Sequence, residues 1–244
     1  MSNLGYLPDC ASQLSPSETF SFACHNKVKC FTDCCRMLEL ALTPYDVLRL
    51  RMATQLRSAE VLEKYIIVEQ ETGEPFPRFY LTMVDDGRAS CVFVSPKGCS
   101  VYSNRPGACR SYPLGRAATR VADNTITESF ILMKEKHCCG FSEPEHQNAL
   151  QYSKAQGLDI YNIFNDSVAQ ILQHKSIRQG FIPSPKQVEL FTLALYNIDT
   201  FRDLFLAGKL DSTPASMEQL SHCDSDEQLL QFSISWLKQQ LFSL

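Results

Sequence analysis

The sequence has no long apolar run. Nothing in it approaches the roughly 20 consecutive apolar residues that cross a bilayer, so no membrane association is expected. Charge of one sign is also lacking. With 23 Lys and Arg against 27 Asp and Glu, the net charge is −4, and no stretch is basic enough to suggest nucleic acid as a partner. The opening residues, Met1 to Tyr6, carry neither a positive region nor an apolar core of the secretory type, which makes the cytoplasm the expected location. There is no Gly-rich phosphate loop, no H-E-x-x-H and no nucleophile elbow, so no reaction can be named from a motif. Asp33 and Glu39 form no recognisable acid–base pair, and neither an internal repeat nor a low-complexity tract is present.

What is abundant is cysteine. The chain has 11 cysteines in 244 residues, an odd count in a chain with no export signal and 44% hydrophobic content, enough for a core without staples. In a reducing compartment such thiols point to metal binding or redox chemistry rather than disulfides. Four fall within twelve residues, Cys24, Cys30, Cys34 and Cys35, spaced C-x5-C-x3-C-C. Others follow at Cys91, Cys99, Cys109, Cys138 and Cys139, each beside a turn or an element end such as Lys97-Gly98 or Gly107-Ala108. Positions of that kind let thiolates converge while backbone N–H groups donate to sulfur. Soft thiolates suit zinc or iron–sulfur centres and are poor for magnesium or calcium.

The expected metal ligands are Cys24, Cys30, Cys34, Cys35, Cys91, Cys99, Cys109 and Cys138. They exceed one tetrahedral site, so two metals, or one cluster with redox-active or bystander thiols, both remain open. Adjacent Cys34 and Cys35 cannot easily point the same way, so one serves a different metal or packs inward. Cys35 and Cys139 are the thiols most readily read as packing residues, and Cys10 and Cys223 read as incidental. His25 and His137 adjoin ligands and are candidates themselves. Arg105, Arg110 and Arg116 either offset thiolate charge, clamp a carboxylate or phosphate, or serve ordinary salt bridges and helix ends. Phe20, Phe22, Phe31, Tyr102 and Tyr112 are expected to pack around the site.

The expected fold is α+β: a small antiparallel sheet with cysteine-bearing loops and short helices, followed by an α-helical C-terminal half. Residues 1–19 form an irregular arm, 20–142 a cysteine-cluster metal-binding domain, and 143–244 a helical region packed on it. Thr43-Pro44-Tyr45-Asp46 and Ser58 start helices. Arg78 to Val84 reads as a strand, Asp85-Asp86-Gly87 as a turn, and Cys91 to Val94 as the returning strand. Asn104-Arg105-Pro106 begins a short helix closed by Pro113 and Gly115. A hairpin follows across Arg120-Val121-Ala122, the turn Asp123-Asn124, and Ile126 to Met133. Helical periodicity then covers 144–156, 159–174, 185–195, 198–207 and 225–242, with Asp224 as a cap of the last.

Read together, Cys24…Cys30…Cys34-Cys35, Cys91-Val92-Phe93, Gly98-Cys99-Ser100-Val101-Tyr102, Arg105-Pro106-Gly107-Ala108-Cys109-Arg110-Ser111-Tyr112-Pro113 and Cys138-Cys139-Gly140 resemble the cysteine-cluster proteins of the YkgJ family. The likeness spans roughly residues 20–142. It departs from the family's C-x-x-x-C-x-x-C-C signature in the longer Cys24–Cys30 spacing and in the cysteine at 139. The resemblance implies a zinc- or iron-chelating domain. That family is in turn similar to flagellin lysine-N-methylases, whose cysteines are associated with an iron–sulfur cluster. Three readings follow: a metalloprotein holding an iron–sulfur cluster, or alternatively zinc, with redox or catalytic use open; a protein side-chain modifying enzyme; and a structural zinc module whose helical half binds a protein partner.

Overall fold

The structure, a computed structural model, describes residues 7–120 and 126–242. The expected turn at Asp123-Asn124, and Val121 and Ala122 before it, lie outside the described residues. In chain order the elements are β1 (Ala11–Leu14), β2 (Thr19–Ser21), a 3-10 turn (Asp33–Cys35), α1 (Pro44–Thr54), α2 (Ser58–Tyr65), β3 (Ile66–Glu69), β4 (Arg78–Leu81), β5 (Met83–Val84), β6 (Ser90–Cys91), β7 (Val94–Ser95) and β8 (Gly98–Cys99). They continue as α3 (Gly107–Ser111), β9 (Leu114–Arg120), β10 (Ile126–Met133), a 3-10 turn (Cys139–Ser142), β11 (His146–Asn148), α4 (Ala149–Ala155), α5 (Asp159–Leu172), α6 (Lys175–Arg178), α7 (Pro185–Tyr196), α8 (Ile198–Leu206), α9 (Pro214–Ser221) and α10 (Asp226–Phe242). The class is α+β, with small antiparallel sheets in the N-terminal half and helices dominating the C-terminal half.

These elements divide between two units that are interleaved along the chain. The first comprises Met1–Leu38, Met83–Tyr102 and Gly107–Ile160; the second comprises Glu39–Thr82, Ser103–Pro106 and Tyr161–Leu244.

The first unit is built on a three-stranded antiparallel sheet in the order β1-β10-β9. Leu14 lies opposite Phe130, and Leu132 opposite Leu114. Alternation along β10 therefore turns one face inward. On that face Leu14, Phe20, Phe22, Leu114, Phe130, Ala149 and Tyr152 form the core, with Tyr112, Phe141 and Cys138 against it. The arm expected to be irregular thus carries β1. Four residues with one buried side chain are too short a pattern for periodicity to reveal. Likewise 144–156 is not wholly helical. It opens with β11, paired with β2, before Asn148 caps α4 in a reciprocal box with Gln151.

The second unit is mainly helical. Thr43 and Asp46 form the expected capping box at α1, with Pro44 in its first turn. Apolar residues spaced three and four apart, such as Tyr161, Phe164, Val168 and Ile171 in α5, give each long helix one buried stripe. Aromatic rings fill the core: Tyr45 stacks on Phe164 at 4.4 Å, Phe76 on Phe191 at 4.2 Å, and Phe201 meets Trp236 edge-on at 5.2 Å. Leu229, Leu230 and Leu237 of α10 are fully buried, each worth about 1.5–3 kcal/mol of hydrophobic stabilisation. Ser225, rather than Asp224, caps α10, accepting from the Gln228 N–H at 3.2 Å.

The strand expected over Arg78 to Val84 is broken at Thr82. β4 pairs with β3, and β5 pairs with β6. The cause is local competition: the Leu81 and Thr82 N–H groups donate to Leu40 and Tyr65. β3 itself follows from Ile66-Ile67-Val68, whose branched side chains fit a strand better than another helical turn.

One buried polar knot ties α1, α2 and α8. Asp199 accepts from Arg51 Nε and Nη2, both at 2.9 Å, and from the Ser58 N–H and hydroxyl at 2.7 and 2.8 Å. Arg51 also bonds Asp226. Burial alone would raise the Asp199 pKa; Arg51 and Ser58 outweigh it and hold the carboxyl at about 2. This depressed group contributes stability that is complete above the unfolded value near ~4 and lost as pH falls through about 2. Asp199→Ala leaves Arg51 and Ser58 donors buried, and about 3 kcal/mol of stability should be lost. Urea midpoints from pH 2 to 7 check both statements: the wild type should weaken below pH ~4, and the variant should lose most of that slope.

Candidate metal centre

The segment from Cys24 to Cys35 folds as a run of tight turns. Val28 N–H donates to His25 O, Phe31 to Val28, Asp33 to Cys30, and Cys35 to Thr32, at 2.9–3.1 Å. Thr32 takes a left-handed backbone with φ +70°, which lets the chain enter the 3-10 turn holding Cys34 and Cys35. The cysteines of this segment are thus held on curled backbone whose orientation is fixed by its own hydrogen bonds.

A second segment docks against it. Ala23 N–H donates to Gly140 O at 3.1 Å, Phe22 N–H to Glu145 O at 3.1 Å, and the Gln147 side chain to Phe22 O at 2.7 Å. The Cys139 N–H donates to Cys30 Sγ at 3.1 Å. The approach requires glycine at 140: a Cβ there would stand 2.7 Å from both Ala23 O and Phe22 Cε2. Where these segments meet is a small cavity of about 20 Å³, lined by Cys24, Cys30, Cys34 and Cys138 together with Phe22, Val28, Tyr112, His137 and Gly140. The Tyr112 hydroxyl donates to Glu135 at 2.9 Å and also faces the Cys138 thiol.

The other predicted ligands lie on neighbouring backbone of the same unit. Cys91 ends β6, Cys99 ends β8, and Cys109 lies in α3. An isolated antiparallel bridge joins Arg36 to Ser90, directly after Cys35 and before Cys91. Phe31 packs under Gly98, where a Cβ would be 3.1 Å from the ring.

The thiols influence one another. The hydrogen bond from Cys35 is the largest effect on Cys34; with a backbone N–H and His137 it outweighs burial and brings Cys34 to about 7. Cys35, whose proton is engaged by Cys34 and which is buried near Cys109 and Cys91, is pushed far up. Burial also raises Cys91 and Cys138. None of the eleven cysteines forms a disulfide. Among the described residues, no three His, Cys, Asp or Glu side chains are gathered in a ready metal-holding shell. The thiols do neighbour one another in pairs: Cys30 meets both Cys138 and Cys139, and Cys34 meets Cys35.

Several expectations change at this level. Tyr112 lines the cavity, but Tyr102 is 57% exposed. Arg110 donates to the Gln156 carbonyl at the end of α4, and Arg116 pairs with Glu128 at 2.9 Å, so both serve the structural role. Arg105 belongs to the second unit, where the Tyr161 hydroxyl donates to its carbonyl. His137 reaches the cavity, whereas His25 pairs with Glu143 at 3.1 Å. The Cys139 thiol donates to His137 O and also meets the Cys30 thiol, while its backbone N–H donates to Cys30 Sγ, so Cys139 stands against the site rather than packing away from it. The Cys10 carbonyl accepts from Lys134, and Cys223 donates to Gln219 in the second unit. Sequence pattern alone does not mark Val28, Glu135 or Glu143. Their parts depend on which distant segments meet, and no local pattern records that.

A cavity ringed by four cysteines, with six more elsewhere in the same unit, defines a thiol-rich site with the donor chemistry of a soft-metal centre. Comparison with known families agrees. Residues 23–140, just under half of the chain, match the family model CxxCxxCC, described as "Putative zinc- or iron-chelating domain". The matched span contains nine of the eleven cysteines. No curated protein and no solved structure matches the chain. Among the described residues no helix is long and apolar enough to cross a membrane.

Gly140→Ala tests the docking of the two segments. Its backbone is not in the left-handed region, so the effect is steric and overpacking of this kind costs about 1–3 kcal/mol. The variant should melt at lower temperature and retain less metal; an unchanged melting curve with unchanged metal content would mean that the segments do not need this close approach.

Proposed function

We propose that the first unit is a metal-binding module in which Cys24, Cys30, Cys34 and Cys138 hold a single zinc or iron ion. The observation that supports this most directly is their convergence on one small cavity. A volume of about 20 Å³ is close to that of one water-sized sphere, which favours a single ion. Four thiolates satisfy a tetrahedral ion and leave no open position, the arrangement of structural sites.

The surrounding residues suit that task. Phe22, Val28 and Tyr112 give the cavity an apolar lining. The Cys139 N–H stabilises negative charge on Cys30 sulfur, and Cys34 is poised near neutrality to release its proton. Bound at this place, the ion supplies a crosslink between the 24–34 segment and residue 138. Thiols used in this way require reducing surroundings, which favours a cytoplasmic location.

An iron–sulfur cluster is the second reading. The apolar lining and the N–H to sulfur hydrogen bond are features that such clusters use to set their potential.

Purification without oxygen, followed by assay of zinc, iron and acid-labile sulfide, tests the proposal. Metal without labile sulfide is the expected result; iron with matching sulfide replaces the single ion with the cluster. Cys138→Ser should lose the ion bound here and lower the melting temperature, since a structural zinc contributes on the order of 10 kcal/mol. Full metal content in both Cys24→Ser and Cys138→Ser would overturn the ligand set.

A further inference from the structure

The second unit holds a cleft of about 390 Å³, partly open to solvent, between α5 and α10. Small-molecule sites fall in the range of roughly 300–1,000 Å³. The walls come from one face of each helix. Ser167 and Gln170 lie one turn apart on α5, and Gln231, Ser235 and Lys238 follow at intervals of four and three along α10. Both helices are anchored in the core by other side chains, so the walls are fixed. Rings form a further side: His174, just past α5, stacks on Phe242 at 3.8 Å, and Phe181 meets Phe242 edge-on at 5.6 Å.

Two facing helices ordinarily close on apolar side chains. Here serine and glutamine take most of those positions, with Ile234 and Phe242 as the apolar exceptions. The lining is one of hydrogen-bonding groups and suits a polar ligand. Lys238 is half-buried and is the lining group that carries a full charge; among the described residues no Asp or Glu lines the cleft. Glu227, one turn before Gln231, pairs with Arg49 at 3.9 Å. The Lys238 ammonium donates to Gln170 Oε1 at 2.9 Å, which ties α10 to α5 and leaves its other N–H groups for a ligand. The His174 Nδ1 accepts from the Ser176 N–H at 3.3 Å, which places the ring proton on Nε2. Burial, then Lys238 and Lys175, lower the His174 pKa and keep the imidazole neutral near neutral pH. The cleft thus presents one ammonium and one neutral ring N–H, with amides and hydroxyls around them.

We propose that this cleft binds a small hydroxylated carboxylate of the sugar-acid kind. Lys238 pairs with the carboxylate, and the glutamine amides and serine hydroxyls take the ligand's hydroxyl groups. One ammonium with no other full charge in the lining matches a monoanion better than a phosphate dianion. The site lies wholly in the second unit and uses none of the thiols of the metal centre, so it stands independently of what that centre holds.

Glucuronate, glucose and glucose 6-phosphate test this, since they share one ring and differ at the sixth carbon as carboxylate, alcohol and phosphate ester. Each is titrated into the full-length protein as purified, with the His174 imidazole resonance followed by proton NMR and identified by its absence from His174→Asn. Glucuronate should shift that resonance saturably, and glucose should leave it in place. Lys238→Met should weaken glucuronate binding by about tenfold or more. Ser235→Trp, at an exposed position of α10, should fill the cleft and abolish the shift, and it carries the comparison if circular dichroism shows Lys238→Met to be unfolded. The proposal is overturned by the lack of a saturable shift with glucuronate, by glucose binding as tightly, or by glucose 6-phosphate binding more tightly. Unchanged glucuronate affinity in a folded Lys238→Met or Ser235→Trp variant overturns it as well.

Discussion

Everything at the cysteine site depends on residues 138–140 returning against residues 22–30. Without that return the cavity has no fourth thiol. The return is made by ordinary means: β2 pairs with β11, Ala23 bonds Gly140, and Phe22 enters a core shared with Tyr112, Phe141 and Tyr152. Closing so long a loop costs only slightly more than closing a short one, because the entropic cost grows with the logarithm of length. The limiting requirement is steric. Two backbones approach so closely that one position has no room for a β-carbon.

The two units contrast in how they are stabilised. The second has stacked aromatic rings, capped helices and a buried ion-pair knot. The first has several strands only two residues long, namely β5, β6, β7 and β8, and its cysteine segment is mostly turns. Isolated two-stranded pairs are marginal in water. Loops of this kind gain most from crosslinks, and thiolate–metal bonds would provide them where hydrophobic contacts are sparse.

The sequence displays much of this arrangement, though unevenly. The helix start at Thr43-Pro44 is plain because a hydroxyl, a proline and a matching side chain coincide, whereas the segment beginning at Pro185 shows through periodicity and its Ser184 cap emerges only in the fold. The same signature at Thr213-Pro214 marks α9, which periodicity alone passed over because only Leu220 is buried in it. β1 and β11 were hidden because short edge strands carry too few side chains to show alternation. The thiol-rich character of the site was legible from residue type, and the partition among thiols was not. Spacing indicates that Cys34 and Cys35 must diverge. Only the fold shows that Cys34 lines the cavity and Cys35 does not. Arginine roles were equally opaque, since Arg110 and Arg116 are engaged by Gln156 and Glu128, groups remote from the cysteine motif.

The interleaving of the units limits how this chain can be dissected. Residues 39–82 leave the first unit after Leu38 and return to it at Met83, and the Met37 N–H to Ala89 O bond holds that exit and return side by side. A single proteolytic cut or truncation therefore cannot release either unit whole. A fragment stopping near residue 142 would retain every cysteine except Cys223 yet lack β11 and α4, and with them Ala149 and Tyr152 of the first unit's core. Such a fragment would present the right ligands on a scaffold missing one wall. Isolating the first unit calls for both the excision of residues 39–82 and an end after Ile160, with Ser103–Pro106 kept as a connector.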